Sequence, residues 1–245
     1  MKRFAILLLL GGLLAAVPSC IYIDDDHPPF FDCEEGFGPQ VTRELFVPEF
    51  SNVALTISAD LILAEGPDLF VEAKGEENII DLIERDVHND TWEIEFERCV
   101  RNHDHLQIFA TMPFFEEIVL SGSGDINSAN TLTNTNFDLV LTGSGEIDLD
   151  LETFQTDAVI SGSGDIELTG ISDDLDLTIS GSGDFDSFGL ESKTASIQIT
   201  GSGSVELTVT ETLNVVISGS GSVFFKGNPQ LNVTITGSGQ VVDAN

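Results

Sequence analysis

Residues 137 to 151 alternate. Phe137, Leu139, Leu141, Gly143, Gly145, Ile147, Leu149 and Leu151 are apolar or glycine, and every residue between them except Val140 is polar. A period of two predicts a strand with one buried face. The phase returns at Leu177, Ile179, Gly181, Gly183 and Phe185, and at Ile197, Ile199, Gly201, Gly203 and Val205. It returns again at Leu213, Val215, Ile217, Gly219, Gly221 and Val223, and at Leu231, Val233, Ile235, Gly237, Gly239 and Val241. Both glycines of each Gly-Ser-Gly triplet fall in the apolar phase. The pattern therefore predicts that both are buried and that the strand register runs through the triplet.

The triplet recurs seven times, starting with Gly122 and Gly124 and including Gly162 and Gly164. Steps between second glycines are 21, 19, 19, 20, 18 and 18 residues. A near-fixed period marks a stack of like units. Glycine weakens a strand unless the chain bends or another backbone approaches closely. Glycines repeated at one phase thus predict a corner, stacked coil upon coil. A unit of this length is too short for a propeller blade of about 40 residues. It fits one turn of a parallel β-helix: strand, glycine corner, strand, looser turn. A closed up-and-down barrel is the rival, but a barrel has no reason to repeat one corner.

Residues 41 to 117 lack the triplet and still read as β. Val53, Leu55 and Ile57 alternate, as do Trp92, Ile94 and Phe96. The stretch Ile79 to Ile83 fits a short helix as well as a strand. This part is expected to supply the first coils and to cap the stack, since a solenoid needs a cap. The organisation expected is a leader at 1–19, a tether at 20–40, and one β-helix domain at 41–245, with the repeats in 118–245.

Lys2 and Arg3 precede an apolar run from Phe4 to Val17, too short for a spanning helix of about 20 residues. Val17-Pro18-Ser19-Cys20 resembles the lipobox of bacterial lipoproteins. That resemblance implies cleavage before Cys20 and lipidation of its sulfur, an anchor worth about 0.8 kcal/mol per buried CH₂. The acidic run Asp24-Asp25-Asp26 is similar to the surface-export signal of Bacteroidota lipoproteins. An outer-membrane lipoprotein facing the cell surface is the expected location. Cys33 and Cys99 remain. Two cysteines in an oxidising compartment commonly pair, with two free buried thiols as the alternative.

The segments Phe46-Val47-Pro48-Glu49-Phe50-Ser51-Asn52-Val53, Val71 to Gly75 and Thr91 to Ile94, followed by the string of glycine corners, resemble the DUF2807 family, the auto-transporter adhesin head GIN domain. The resemblance covers about residues 41 to 245. It implies a right-handed parallel β-helix in the cell envelope. No membrane barrel is expected in this chain, and the lipid anchor is expected to take the barrel's place.

Charge narrows the partners. Forty-two acidic residues face nine basic ones, for a net charge of −33. Loss of Lys2 and Arg3 with the leader makes the balance more acidic still. Nucleic acid is excluded as a partner, because binding it needs a basic footprint. Asp125, Glu146, Asp165 and Asp184 follow successive corners and are expected to form one outward column. Calcium is the cation that suits such a column. Acids are missing from the last three corners, so a solvated acidic edge is the main expectation, with no metal and no cofactor. The corner serines are expected to hydrogen-bond one another. They are not nucleophiles: a serine needs a base within reach, and all four histidines precede the repeats. His103 and His105 are the remaining candidate metal ligands.

The residues thus point to a non-enzymatic envelope module, an adhesin or binding rod for a glycan or a protein. An envelope scaffold or stress protein without a ligand is the alternative. A polysaccharide-active enzyme ranks last, because only Lys193 and Lys226 are basic after Pro113.

Overall fold

A computed structural model describes residues 33 to 245; the predicted leader, Cys20 and residues 21 to 32 lie outside the described residues. The described chain is nearly all strand, and its one helix is a single turn, Glu77–Ile80. Strands Glu146–Gly162, Asp165–Gly181, Phe185–Gly201 and Ser204–Gly219 each run from one glycine corner to the next. Each pairs in parallel with the following one. The result is a parallel β-solenoid of about seven turns, spaced ~19 residues apart.

Equal spacing in sequence becomes stacking in space. Ile160, Ile179, Ile199 and Ile217 sit directly over one another, and all are buried. Each such side chain contributes about 1.5–3 kcal/mol through removal from water. The inward series of one coil is Ile147, Leu149, Leu151 and Thr153, then Thr156, Ala158 and Ile160. The jump of three between Thr153 and Thr156 marks a second bend. The expected looser turn is therefore a bend in a ladder that stays paired across it, as at Thr153 with Ser172 and Gln155 with Asp174. Two adjacent coils pair their inward hydroxyls there, whereas Ser192 Oγ, stacked over Ser172 in the next coil, is buried without a partner. Thr153 Oγ1 and Thr156 Oγ1 are 2.8 Å apart, and Ser172 Oγ donates to Thr156 Oγ1 at 2.9 Å. Partnered hydroxyls avoid the desolvation penalty of buried polar groups.

The corner corrects the expected burial of both glycines. Only the second glycine of the inner triplets is buried; Gly183 is an example. The first turns partly outward with positive φ, +135° at Gly143 and +136° at Gly181. Glycine is needed there because a side chain rarely adopts that conformation. The serines also bond otherwise than expected. The backbone N–H of Ser182 donates to the Gly162 carbonyl at 2.8 Å, and that of Ser202 to the Gly181 carbonyl at 2.8 Å. The corner column is thus a backbone ladder, with the serine side chains left exposed.

The first coils do not stack in chain order. Asn52–Leu55 lies between Thr91–Ile94 on one side and Glu117–Gly122 on the other. Asp60–Glu65 likewise lies between Gln107–Met112 and Asp125–Ser128. All these pairings are parallel. Beyond them the pairing turns antiparallel, Gln107–Met112 with Phe70–Glu76 and Phe70–Glu76 with Gln40–Glu44. The helix buries Ile79 and Ile80 at this end, and Arg43 bridges Glu77 and Asp81. Trp92 is fully buried, and its Nε1–H donates to the Glu84 carbonyl at 3.0 Å.

Candidate binding surface

Two outward faces meet at the corner. The first belongs to the strand entering it. Three columns run side by side there, each in register from coil to coil. One begins Glu117, Asp138, Asp157, Asp176 and passes through Ser196 to Asn214 and Asn232. The next begins Val119, Val140, Val159 and continues through Thr178, Gln198 and Val216. The third holds only hydroxyls, from Ser121 and Thr142 to Ser218 and Thr236. Parallel strand geometry spaces these groups about 4.8 Å along the stack and about 6.6 Å across it. A shallow depression of about 240 Å³ opens among Asp176, Thr178, Ser196, Gln198, Asn214 and Val216. Its rim offers carboxylate, hydroxyl and amide groups, hence both donors and acceptors. The Asn232 amide donates to Asn214 Oδ1 at 2.9 Å, extending the pattern. Partial burial, and then the neighbouring Asp157, hold the Asp138 carboxyl above its ordinary pKa.

The second face leaves the corner and is acidic. Asp125, Glu146 and Asp165 are aligned. Asp184 joins them through its N–H, which donates to Asp165 Oδ1 at 3.2 Å, and Asp184 Oδ1 accepts the Ser204 N–H at 2.9 Å. These carboxylates thus complete the backbone ladder between coils. A second acidic column, Asp148, Glu167, Asp186 and Glu206, lies beside the first. Sequence reasoning missed it, although Asp148, Glu167 and Asp186 each follow a first-column acid by two residues and Glu206 follows Ser204 in the same way. Desolvation, then Asp125, Asp148, Asp165 and Glu167, raise the Glu146 pKa. Desolvation, then Asp184 and Asp165, raise that of Asp186.

No three His, Cys, Asp or Glu side chains among the described residues are placed to hold a metal ion. His105 Nε2 lies 2.6 Å from Asp60 Oδ2, whereas His103 Nδ1 contacts the Asp104 carbonyl at 2.7 Å. The two imidazoles serve different neighbours. Cys33 and Cys99 form a disulfide with an S–S distance of 2.02 Å across 66 residues of sequence. It sits beside the parallel pair Glu34–Glu35 and Val100–Arg101, where Arg98 and Arg101 pair with Glu34 and Glu35.

Comparison with known proteins places this architecture. The profile of DUF2807, described as "Putative auto-transporter adhesin, head GIN domain", matches residues 49–229. The chain belongs to the DUF2807 family. That family description points to a cell-surface or envelope location. Solved structures share the fold. A "putative adhesin" from Bacteroides fragilis superposes with a TM-score of 0.81 at 24% identity, covering 85% of this chain and 99% of that one. A "putative lipid binding protein" from Parabacteroides distasonis gives 0.75 at 21% identity, covering 86% of this chain and 99% of its own. A "putative adhesin" from Parabacteroides merdae gives 0.69 at 21% identity, covering 88% of this chain and all of its own. No curated protein matches the DUF2807 chain described here.

Proposed function

We propose that this protein is a non-enzymatic lipoprotein of the outer membrane that displays its solenoid as a binding rod at the cell surface. The observation that carries the reading is the face entering the corner, where exposed hydroxyl, valine and carboxylate or amide columns repeat in register over successive coils. A flat array at the strand spacing suits an extended ligand, such as a glycan chain, whose groups recur along its length. The depression at Thr178 and Gln198 supplies mixed donors and acceptors of the kind sugar hydroxyls require. The adhesin description of the family agrees. Anchoring rests on the lipobox-like Val17 to Cys20, and Cys20→Ala is expected to move the protein from the membrane fraction to the soluble fraction. Retention after a high-salt wash would remove the lipid anchor from the reading.

A glycan array probed with the Cys20→Ala chain tests the binding role, with release of reducing sugar followed in parallel. Binding that is lost in Thr178→Glu/Gln198→Glu, without sugar release, supports the reading. Sugar release would make the protein an enzyme. Binding that survives these substitutions would remove this face from the proposal.

A further inference from the structure

The coils nearest the antiparallel cap carry a different surface. Phe46, Phe70 and Phe114 are exposed there, by 80%, 44% and 46%. A cleft of about 300 Å³ opens beside Phe114 where three loops converge. The segment before Asn52–Leu55 brings Glu49 and Phe50. The turn between Asp60–Glu65 and Phe70–Glu76 brings Asp68 and Leu69. The end of Gln107–Met112 brings Met112 and Phe114. The volume lies at the lower end of the usual range for ligand pockets, about 300–1,000 Å³.

The floor of this cleft is rigid. Phe50 and Met112 are buried, and the Phe50 ring packs 5.4 Å from that of Trp92, centroid to centroid. The Gly66 N–H donates to the Met112 carbonyl at 2.9 Å and ties the turn to the strand end. A preformed cleft pays little ordering entropy on binding.

Its chemistry is one-sided. Glu49 and Asp68 are its only charged or hydrogen-bonding side chains; both are exposed, and neither has a hydrogen-bond or ion-pair partner among the described residues. The remaining walls are apolar. An anion would find no side-chain donor here, and a sugar, which needs donors as well as acceptors, would be half matched. An alkyl stem ending in a donor-only cation matches every wall. The stem lies against Leu69 and Met112, as the stems of Lys and Arg do on apolar surface. The charge would be met by the Glu49 and Asp68 carboxylates and by the Phe114 ring, since aromatic faces attract cations. The net charge of −33 draws such groups in from a distance.

We infer that this cleft seats an arginine or lysine side chain of a partner protein. The inference rests on the reading of the domain as a binding module and names a second class of partner for it. Phe114 would be the stacking platform, with Glu49 and Asp68 as the acceptors.

The test uses acetylated, amidated Gly-Arg-Gly and Gly-Lys-Gly, with Gly-citrulline-Gly as a neutral mimic, titrated into the Cys20→Ala chain. The Arg peptide is expected to bind with a Kd on the order of 1 mM, a plausible scale for one side chain. Binding should weaken about tenfold or more in Phe114→Ala and in Glu49→Gln/Asp68→Asn, a loss of about 1.4 kcal/mol. The Lys peptide distinguishes a planar stacked cation from a point charge, and either order of affinity agrees with the inference. These positions are exposed, and unchanged circular dichroism will show that the variants stay folded. Glu152→Gln/Glu191→Gln removes two exposed charges from the repeats and should leave binding intact. Equal weakening in this control would reduce the effect to general counter-ion attraction and overturn the inference. Equal binding of the citrulline peptide, or no binding at millimolar peptide, would overturn it too. A tenfold or larger change in peptide affinity in Thr178→Glu/Gln198→Glu, in either direction, would place the cation on the repeat face and overturn it likewise. If those face substitutions abolish only glycan binding, the two sites are separate.

Discussion

The corner can be tested one atom at a time. A Cβ added at Gly183 would lie closer than 3.0 Å to the Gly164 carbonyl oxygen and 2.6 Å from Ile160 Cγ2. The carbonyl belongs to the backbone of the preceding coil and cannot swing away. Ile160 lies in the buried isoleucine column, so it has no free space to retreat into. Gly183→Ala should therefore cost the overpacking penalty of about 1–3 kcal/mol. Gly181→Ala meets the Gly162 carbonyl just as closely and must also hold a side chain at φ +136°. Strain of that kind adds about 1–3 kcal/mol, so the total reaches about 2–6 kcal/mol. Ser182→Ala keeps the N–H that bonds Gly162 and trims only an exposed hydroxyl. It should stay within about 0.5 kcal/mol of the parent. Thermal melts followed by far-ultraviolet circular dichroism read the order, at about 2–4 °C per kcal/mol for a chain of this size. Since stacked coils can unfold in parts, the ranking of midpoints carries the test. Equal midpoints for Gly181→Ala and Ser182→Ala would refute the positive-φ corner. A Gly183→Ala melt matching that of Ser182→Ala would refute the close approach of neighbouring coils.

The acidic face should respond to pH. Glu146 and Asp186 have raised folded-state pKa values, so the folded chain binds more protons than the unfolded one. Their contribution is fully present below the ordinary carboxylate pKa of about 4 and is lost as pH rises through the raised values. Glu146→Gln should thus raise the melting temperature at pH 7, with the difference shrinking as pH falls toward 4; no gain at pH 7 would contradict the repulsion between coils. Millimolar calcium should raise the melting temperature no more than sodium chloride of equal ionic strength, because Asp165 and Asp184 already accept backbone N–H groups. A calcium surplus that disappears in Asp165→Asn/Asp184→Asn would restore an ion site. Cys33→Ser/Cys99→Ser opens a loop of 66 residues, worth up to about 4 kcal/mol by chain entropy; an unchanged melt would show that the ordered cap does not depend on it.

The repeat region was legible because its contacts are local in a special sense. Ile160 meets Ile179, and Ile179 meets Ile199, at steps equal to the sequence period. A period of two for the strand and about 19 for the coil thus determine inward and outward faces without knowledge of anything distant. The columns of Asp125 and Asp148 both follow from the same arithmetic. What alternation misjudged was the first glycine of each triplet. Period-two reasoning assumes extended backbone, whereas a residue at φ +136° turns the chain, and glycine's lack of a side chain hides which way it faces. The N-terminal coils obey no period. Asn52–Leu55 is flanked by strands that follow it by about 40 and 65 residues, and only closure of the cap decides which one lies on which side. For the same reason the cleft at Phe114 is a product of tertiary structure alone. Glu49, Asp68 and Phe114 occupy three separate loops; antiparallel pairing of Phe70–Glu76 with Gln107–Met112 brings Asp68 to Phe114, and parallel pairing of Asn52–Leu55 with Glu117–Gly122 brings Glu49 there. Sequence spacing determined the stack because each coil repeats its neighbour's environment. The cap and its cleft depend on contacts between unlike segments, which no repeat can encode.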